Sequence, residues 1–70
     1  MIPMGRYRHF KGNYYEVLCL AKNSETEEQM VVYKCEKDGS LWVRPMDMFV
    51  EKVRVEGSLK PRFHFIGNLD

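Results

Sequence analysis

Trp42, Arg44 and Arg62 are the residues whose types and spacing best suit a binding role. An outward Trp beside an Arg is common at binding hot spots. The indole gives much contact area at low entropy cost, and the guanidinium adds directed donors. Period-two geometry places Leu41 and Val43 on one side of a short strand, facing the core, and Trp42 and Arg44 on the other, facing out. Pro45 biases Arg44 towards extended backbone. Arg62 follows Pro61 and lies with His64 on the outward side of a last strand, opposite Phe63 and Phe65. With Tyr14 as a flanking aromatic, these residues would make an aromatic plate beside guanidinium forks that take carboxylate or phosphate oxygens bidentately. A structural alternative stays open: the Pro45–Phe49 turn covers Trp42, and one arginine clamps Asp47 or Glu51.

A second basic feature lies at the chain ends. Residues 1–22 carry four bases against one acid, residues 23–51 three against seven, and residues 52–70 four against two. If the first and last strands pair, Arg6, Arg8 and Arg62 share a patch with His64 nearby, which could attract nucleic-acid phosphates or an acidic partner. The alternative is that these bases merely neutralise the acidic middle. The overall net charge of +1 excludes a strongly basic nucleic-acid binder by bulk charge.

Catalytic and metal patterns are thin. The serines fall in turns, the cysteines in strands, and nothing in the spacing brings His9 or His64 beside a nucleophile. Glu25, Glu27 and Glu28 read as a solvated acidic loop. Cys19, Cys35, His9 and His64 equal a zinc set in number but contain no paired knuckle spacing, so reduced thiols and no metal are expected. No phosphate-cradling glycine loop is present, and no cofactor is expected.

The elements that must position these residues are almost all strands. Gly5–Phe10 alternates, with Tyr7 and His9 on one face and Arg6 and Arg8 on the other. Tyr14–Ala21 is a long strand, followed by a polar hairpin loop over Lys22–Gln29 and a strand over Met30–Glu36. Pairing these two strands about Glu27 sets Cys19 opposite Cys35 and puts Val17, Ala21, Val31 and Tyr33 on one face. Lys37–Ser40 turns into Leu41–Arg44. Pro45 suits the first position of a helical turn through Phe49, docked by Met48 and Phe49. Glu51–Val55 alternates, Glu56–Ser58 turns, and Arg62–Ile66 is the final strand. The expected core is Tyr15, Val17, Val31, Tyr33, Val43, Phe49, Phe63 and Phe65.

With 70 residues, one domain is expected, its ordered part spanning about residues 5–66. About five short strands in that length predict an all-β fold, a small SH3-like antiparallel barrel whose closure removes free edges. The longest apolar run, Val17–Ala21, falls far short of the roughly 18 residues of a membrane span. No signal peptide is read at the start, so a cytoplasmic protein is expected.

The run Gly5-Arg-Tyr-Arg-His-Phe-Lys-Gly-Asn-Tyr-Tyr-Glu-Val-Leu, then Ser24-Glu-Thr, Val31-Val-Tyr, Leu41-Trp-Val-Arg-Pro, Met48-Phe and Pro61-Arg-Phe, resembles a bacterial family of short proteins, domain of unknown function number sixteen fifty-three. The resemblance spans about Gly5 to Ile66 and implies an SH3-type barrel, with no activity to lend. The chain departs from the family pattern at Cys19, where Gly is usual, and at Asn23, where His is usual. The expectation is a non-enzymatic binding module. It takes a peptide or protein ligand at Trp42, Arg44, Arg62 and Tyr14, with nucleic acid at Arg8 and His64 as the alternative and an unspecified small enzyme third.

Overall fold

The computed structural model describes residues 2–68. Its strands are β1 (Gly5–His9), β2 (Tyr14–Lys22), β3 (Gln29–Cys35), β4 (Leu41–Pro45), β5 (Lys52–Val55), β6 (Ser58–Pro61) and β7 (Phe63–Gly67), with one short helix, α1 (Met46–Phe49), after β4. The fold is all-β. Five strands form one antiparallel sheet in the order β4-β3-β2-β1-β7, and β5 and β6 form a separate hairpin. The first and last strands of the chain pair, with Tyr7 opposite Phe65, Arg8 opposite His64 and His9 opposite Phe63. The sheet ends at β4 and β7, so the ladder curls without closing into a barrel. Seven strands stand where about five were expected; one that was not foreseen is β6, because Leu59–Pro61 pairs with β5 instead of merely connecting.

Turn chemistry explains the connections. Asn23 Oδ1 accepts the Glu25 and Thr26 N–H groups at 2.8 and 3.3 Å, and Thr26 Oγ1 accepts the Glu28 N–H at 3.1 Å. The polar loop after β2 is therefore an Asx turn and a hydroxyl turn in succession. Glu56 and Gly57 both have positive φ, 50° and 83°, as a two-residue hairpin turn of the mirror-image type requires. Gly5 sits at φ 132°, where a Cβ would meet the Gly67 carbonyl oxygen at 2.5 Å, so only glycine lets β1 approach the end of β7 this closely.

The buried centre is Tyr7, Val17, Val31, Tyr33, Phe49 and Phe63, with Ile2, Tyr15, Leu20 and Met46 packed against it. Phe49 and Phe63 stack at 4.1 Å between centroids, joining the helical turn to β7. Tyr7 was missing from the expected core. It is fully engaged there, and its hydroxyl donates to the Pro3 carbonyl at 2.6 Å.

Several expectations are corrected. A register shift between Val17 and Cys19 makes Leu18 an extra residue in β2. A one-residue bulge flips every later side chain to the other face. Leu20 therefore turns inward opposite Val31, while Cys19 lies opposite Val32 and Ala21 opposite Met30. Cys35 pairs with Tyr15, not with Cys19. On β4 the two faces are exchanged. Trp42 lies opposite Tyr33 and Arg44 opposite Val31, so both share the inner side. Leu41 and Val43 point outward and are 65% and 58% exposed, which removes Val43 from the core. Phe65 faces inward but sits at the margin, 37% exposed. Pro45 ends β4 and caps the helix, and Met46 replaces Met48 as the docking methionine.

Candidate functional site

The open end of the inner face is built by five strands. His9 ends β1, Tyr15 is the second residue of β2, Tyr33 lies in β3, Arg44 in β4, and Phe63 opens β7. Their rings meet around Phe63: its centroid is 4.9 Å from His9, 5.6 Å from Tyr15 and 5.5 Å from Tyr33. The Arg44 guanidinium lies over the Phe63 ring at 5.8 Å, and its Nε donates to the Tyr33 hydroxyl at 3.3 Å. The aliphatic stem of Arg44 thus covers core surface while its head reaches the opening. No ion pair among the described residues uses Arg44.

Arg62 stands at the bend between β6 and β7. Its backbone N–H donates to the Glu51 carbonyl at 3.0 Å, and its terminal nitrogen donates to Glu51 Oε1 at 3.0 Å. The clamp on Glu51 foreseen as the structural alternative is therefore present for Arg62. Its Nε is buried without a hydrogen-bond partner. An unmet buried donor of this kind costs about 1–3 kcal/mol.

His9 completes the opening. Its Nδ1 accepts the Lys11 N–H at 3.2 Å, which leaves Nε2 as the protonated nitrogen of the neutral ring. Burial holds the imidazole below the ordinary histidine range, and the charges of Arg44, Arg62 and Lys11 push it further the same way. His9 and Tyr33 were not picked as site residues. They come from strands far apart in sequence, and only the β1–β7 and β3–β4 pairings bring them together.

Trp42 stands two residues along the same side of β4 from Arg44, roughly 7 Å away along the strand. It is 55% exposed, so the helical turn does not cover it. The indole is fixed from below: Nε1 donates to Ser40 Oγ at 2.7 Å, and that hydroxyl donates to Asp38 Oδ1 at 2.6 Å. Those Ser40 hydrogen bonds, side chain before backbone, hold the Asp38 carboxyl below its usual range.

The remaining candidates lie on the outer face. Arg8 sits directly opposite both Tyr14 and His64 across β2-β1-β7. Tyr14 is therefore not beside Trp42; it carries the Arg6 guanidinium at 4.0 Å over its ring. Arg6 is also bound bidentately by Glu36, at 2.8 and 2.9 Å. The expected common patch is split, because Arg6 is committed to Glu36 and Arg62 to Glu51. Arg8 and His64 instead line a groove of about 290 Å³ with His9, Phe10, Lys60 and Pro61, so His9 borders this groove as well as the Phe63 ring. Among the described residues, no three of His, Cys, Asp and Glu converge as a metal site would need. Among the described residues, no helix is long and apolar enough to cross a membrane.

These features sit on a small antiparallel β fold that comparison with known proteins places in a family. The sequence profile of the family described as "Protein of unknown function (DUF1653)" matches residues 5–65. A crystal structure of a DUF1653 protein from Bordetella bronchiseptica is similar, with a TM-score of 0.89 and 32% identity over 99% of this chain and 92% of that one. The chain belongs to the DUF1653 family. No curated protein matches it.

Proposed function

We propose that this chain is a non-enzymatic binding module for a peptide or protein ligand, engaged at the inner-face opening by Trp42, Arg44 and Arg62. The observation that carries the reading is the Arg44 guanidinium, which lies over the Phe63 ring and has no acidic partner among the described residues. Burying an Arg stem there while leaving its fork unspent suits recognition better than bracing. The exposed indole beside it supplies apolar contact area. The non-enzymatic part is supported by the Ser40 hydroxyl, which is committed to Asp38 and Trp42 rather than to a histidine. A cytoplasmic location remains part of the proposal and rests on the sequence pattern alone.

Selection of random displayed peptides on the intact protein tests this directly. Trp42 is the single tryptophan, so its emission reports binding at the opening. Selected peptides should change that emission, and Trp42→Ala or Arg44→Ala should abolish their capture without unfolding the protein. Peptides that bind both variants as well as the parent would place the ligand elsewhere.

A nucleic-acid reading is favoured by one separate observation, the outer groove in which Arg8, Lys60 and His64 surround Phe10 with no acid in the lining. Single-stranded oligonucleotides would then bind with a steep salt dependence that Arg8→Ala and Lys60→Ala reduce.

A further inference from the structure

We infer that the inner-face opening is a carboxylate site, in which Arg44, Arg62, His9 and Tyr33 hold the acidic group of a peptide ligand. This rests on the binding-module reading and names the chemistry of its anchor.

The groups around Phe63 are almost all donors. Arg44 has its terminal nitrogens unspent once Nε has bonded the Tyr33 hydroxyl. That hydroxyl accepts from Arg44, so its own hydrogen is available. His9 accepts the Lys11 N–H through Nδ1, so its Nε2–H is available. Arg62 Nε is buried and unpartnered. An opening with donors and few acceptors selects an acceptor-only group, and an ionised carboxylate is acceptor-only.

Charge selects among anions. Arg62 is balanced by Glu51 at 3.0 Å, whereas no acid among the described residues pairs with Arg44. One remaining positive charge with neutral donors beside it matches a monoanion better than a phosphate dianion. Glu51 already shows that a carboxylate oxygen fits the Arg62 fork. It is also the internal competitor of any incoming anion. The exposed indole of Trp42, two residues from Arg44, suits the apolar group next to that carboxylate.

The probe is sodium acetate, titrated into the intact protein at constant ionic strength while the arginine Nε–H and His9 signals are followed by nitrogen-15 NMR. Acetate should shift the Arg44 and Arg62 signals saturably, at roughly millimolar concentration for so small a ligand, where chloride gives no saturable shift. Arg44→Gln should weaken acetate about tenfold or more. Glu51→Gln should tighten it about threefold, by removing the competing ion pair. That gain has a sign opposite to any general damage to the fold. N-acetyl-trialanine with a free carboxylate and N-acetyl-glutamate amide then separate a chain terminus from an acidic side chain, and either binding like acetate supports the site. Inorganic phosphate acting at about tenfold lower concentration than acetate would overturn the carboxylate assignment, as would shifts that survive Arg44→Gln. Acetate binding without any selected peptide would keep this site and remove the peptide-module reading. Peptides that bind through Trp42 while acetate leaves both arginine signals unmoved would do the reverse.

Discussion

Arg6 and Arg44 each place a guanidinium over an aromatic ring, yet the two regions differ in what the rest of the fork does. On the outer face, Arg6 lies 4.0 Å over Tyr14 and is held by both oxygens of Glu36. That hydrogen bond raises Arg6 and, from the other side, draws the Glu36 carboxyl below its ordinary range. At the inner-face opening, Arg44 lies 5.8 Å over Phe63 and, among the described residues, bonds only the Tyr33 hydroxyl. The first arginine is satisfied within the fold and joins β1 to the end of β3. The second is positioned by the fold but left with free donors. Position over a ring therefore does not by itself mark a binding arginine; in the proposed reading, what sets Arg44 apart is that no acid among the described residues pairs with it.

Removing the two rings breaks the comparison most severely. Phe63→Ala takes away a buried ring that stacks on Phe49 and should cost about 3–5 kcal/mol, enough to unfold much of so small a domain. Tyr14→Ala removes a half-buried outer ring and should cost about 1 kcal/mol, visible as a fall in Tm of about 4–8 °C. Equal losses would mean that Phe63 is not the floor of the opening. Arg62→Ala should cost about 1 kcal/mol, because it frees Glu51 and loses a partly buried stem.

Acid sharpens the contrast further. His9 is held neutral in the fold, so the unfolded chain binds its proton more readily. Stability should then fall as pH drops through about 6.5, the ordinary histidine value. Glu36 and Asp38 have depressed values, so what they contribute is present above the usual carboxylate range and is lost only at lower pH. Melting curves across this range should show two steps, and His9→Phe should remove only the upper one. A single step near the carboxylate range would mean that His9 protonates freely in the fold.

Much of the fold was legible because turns and alternation are local. The polar loop after β2 and the Gly39 and Gly57 turns follow from residue type, whereas the pairing of the first strand with the last entered only as a condition that barrel closure would impose. The faces failed where geometry is not local. The bulge at Leu18 has no sequence mark, since Leu is an ordinary strand residue, and it reverses Cys19 and Leu20. On β4, apolar Leu41 and Val43 suggested the inner face, but register with β3 decided otherwise. Because β4 is an edge strand, exposing them outward is tolerated, and Arg44 reaches the core with its stem. Trp42, Arg44 and Arg62 were legible as candidates, whereas His9 and Tyr33 were not. The site needs both sheet pairings before those two side chains meet the arginines.

The most direct test sets Arg6→Ala and Arg44→Ala side by side, measuring Tm and acetate binding for each. Acetate binding is followed through the Arg62 Nε–H signal and Trp42 emission. If the two arginines have the roles their partners indicate, Arg6→Ala lowers Tm and leaves acetate binding unchanged, while Arg44→Ala loses acetate binding and lowers Tm only through the packing of its lost stem. The reverse pattern, with Arg44→Ala melting early and binding acetate as before, would contradict the account and make the opening a structural clamp.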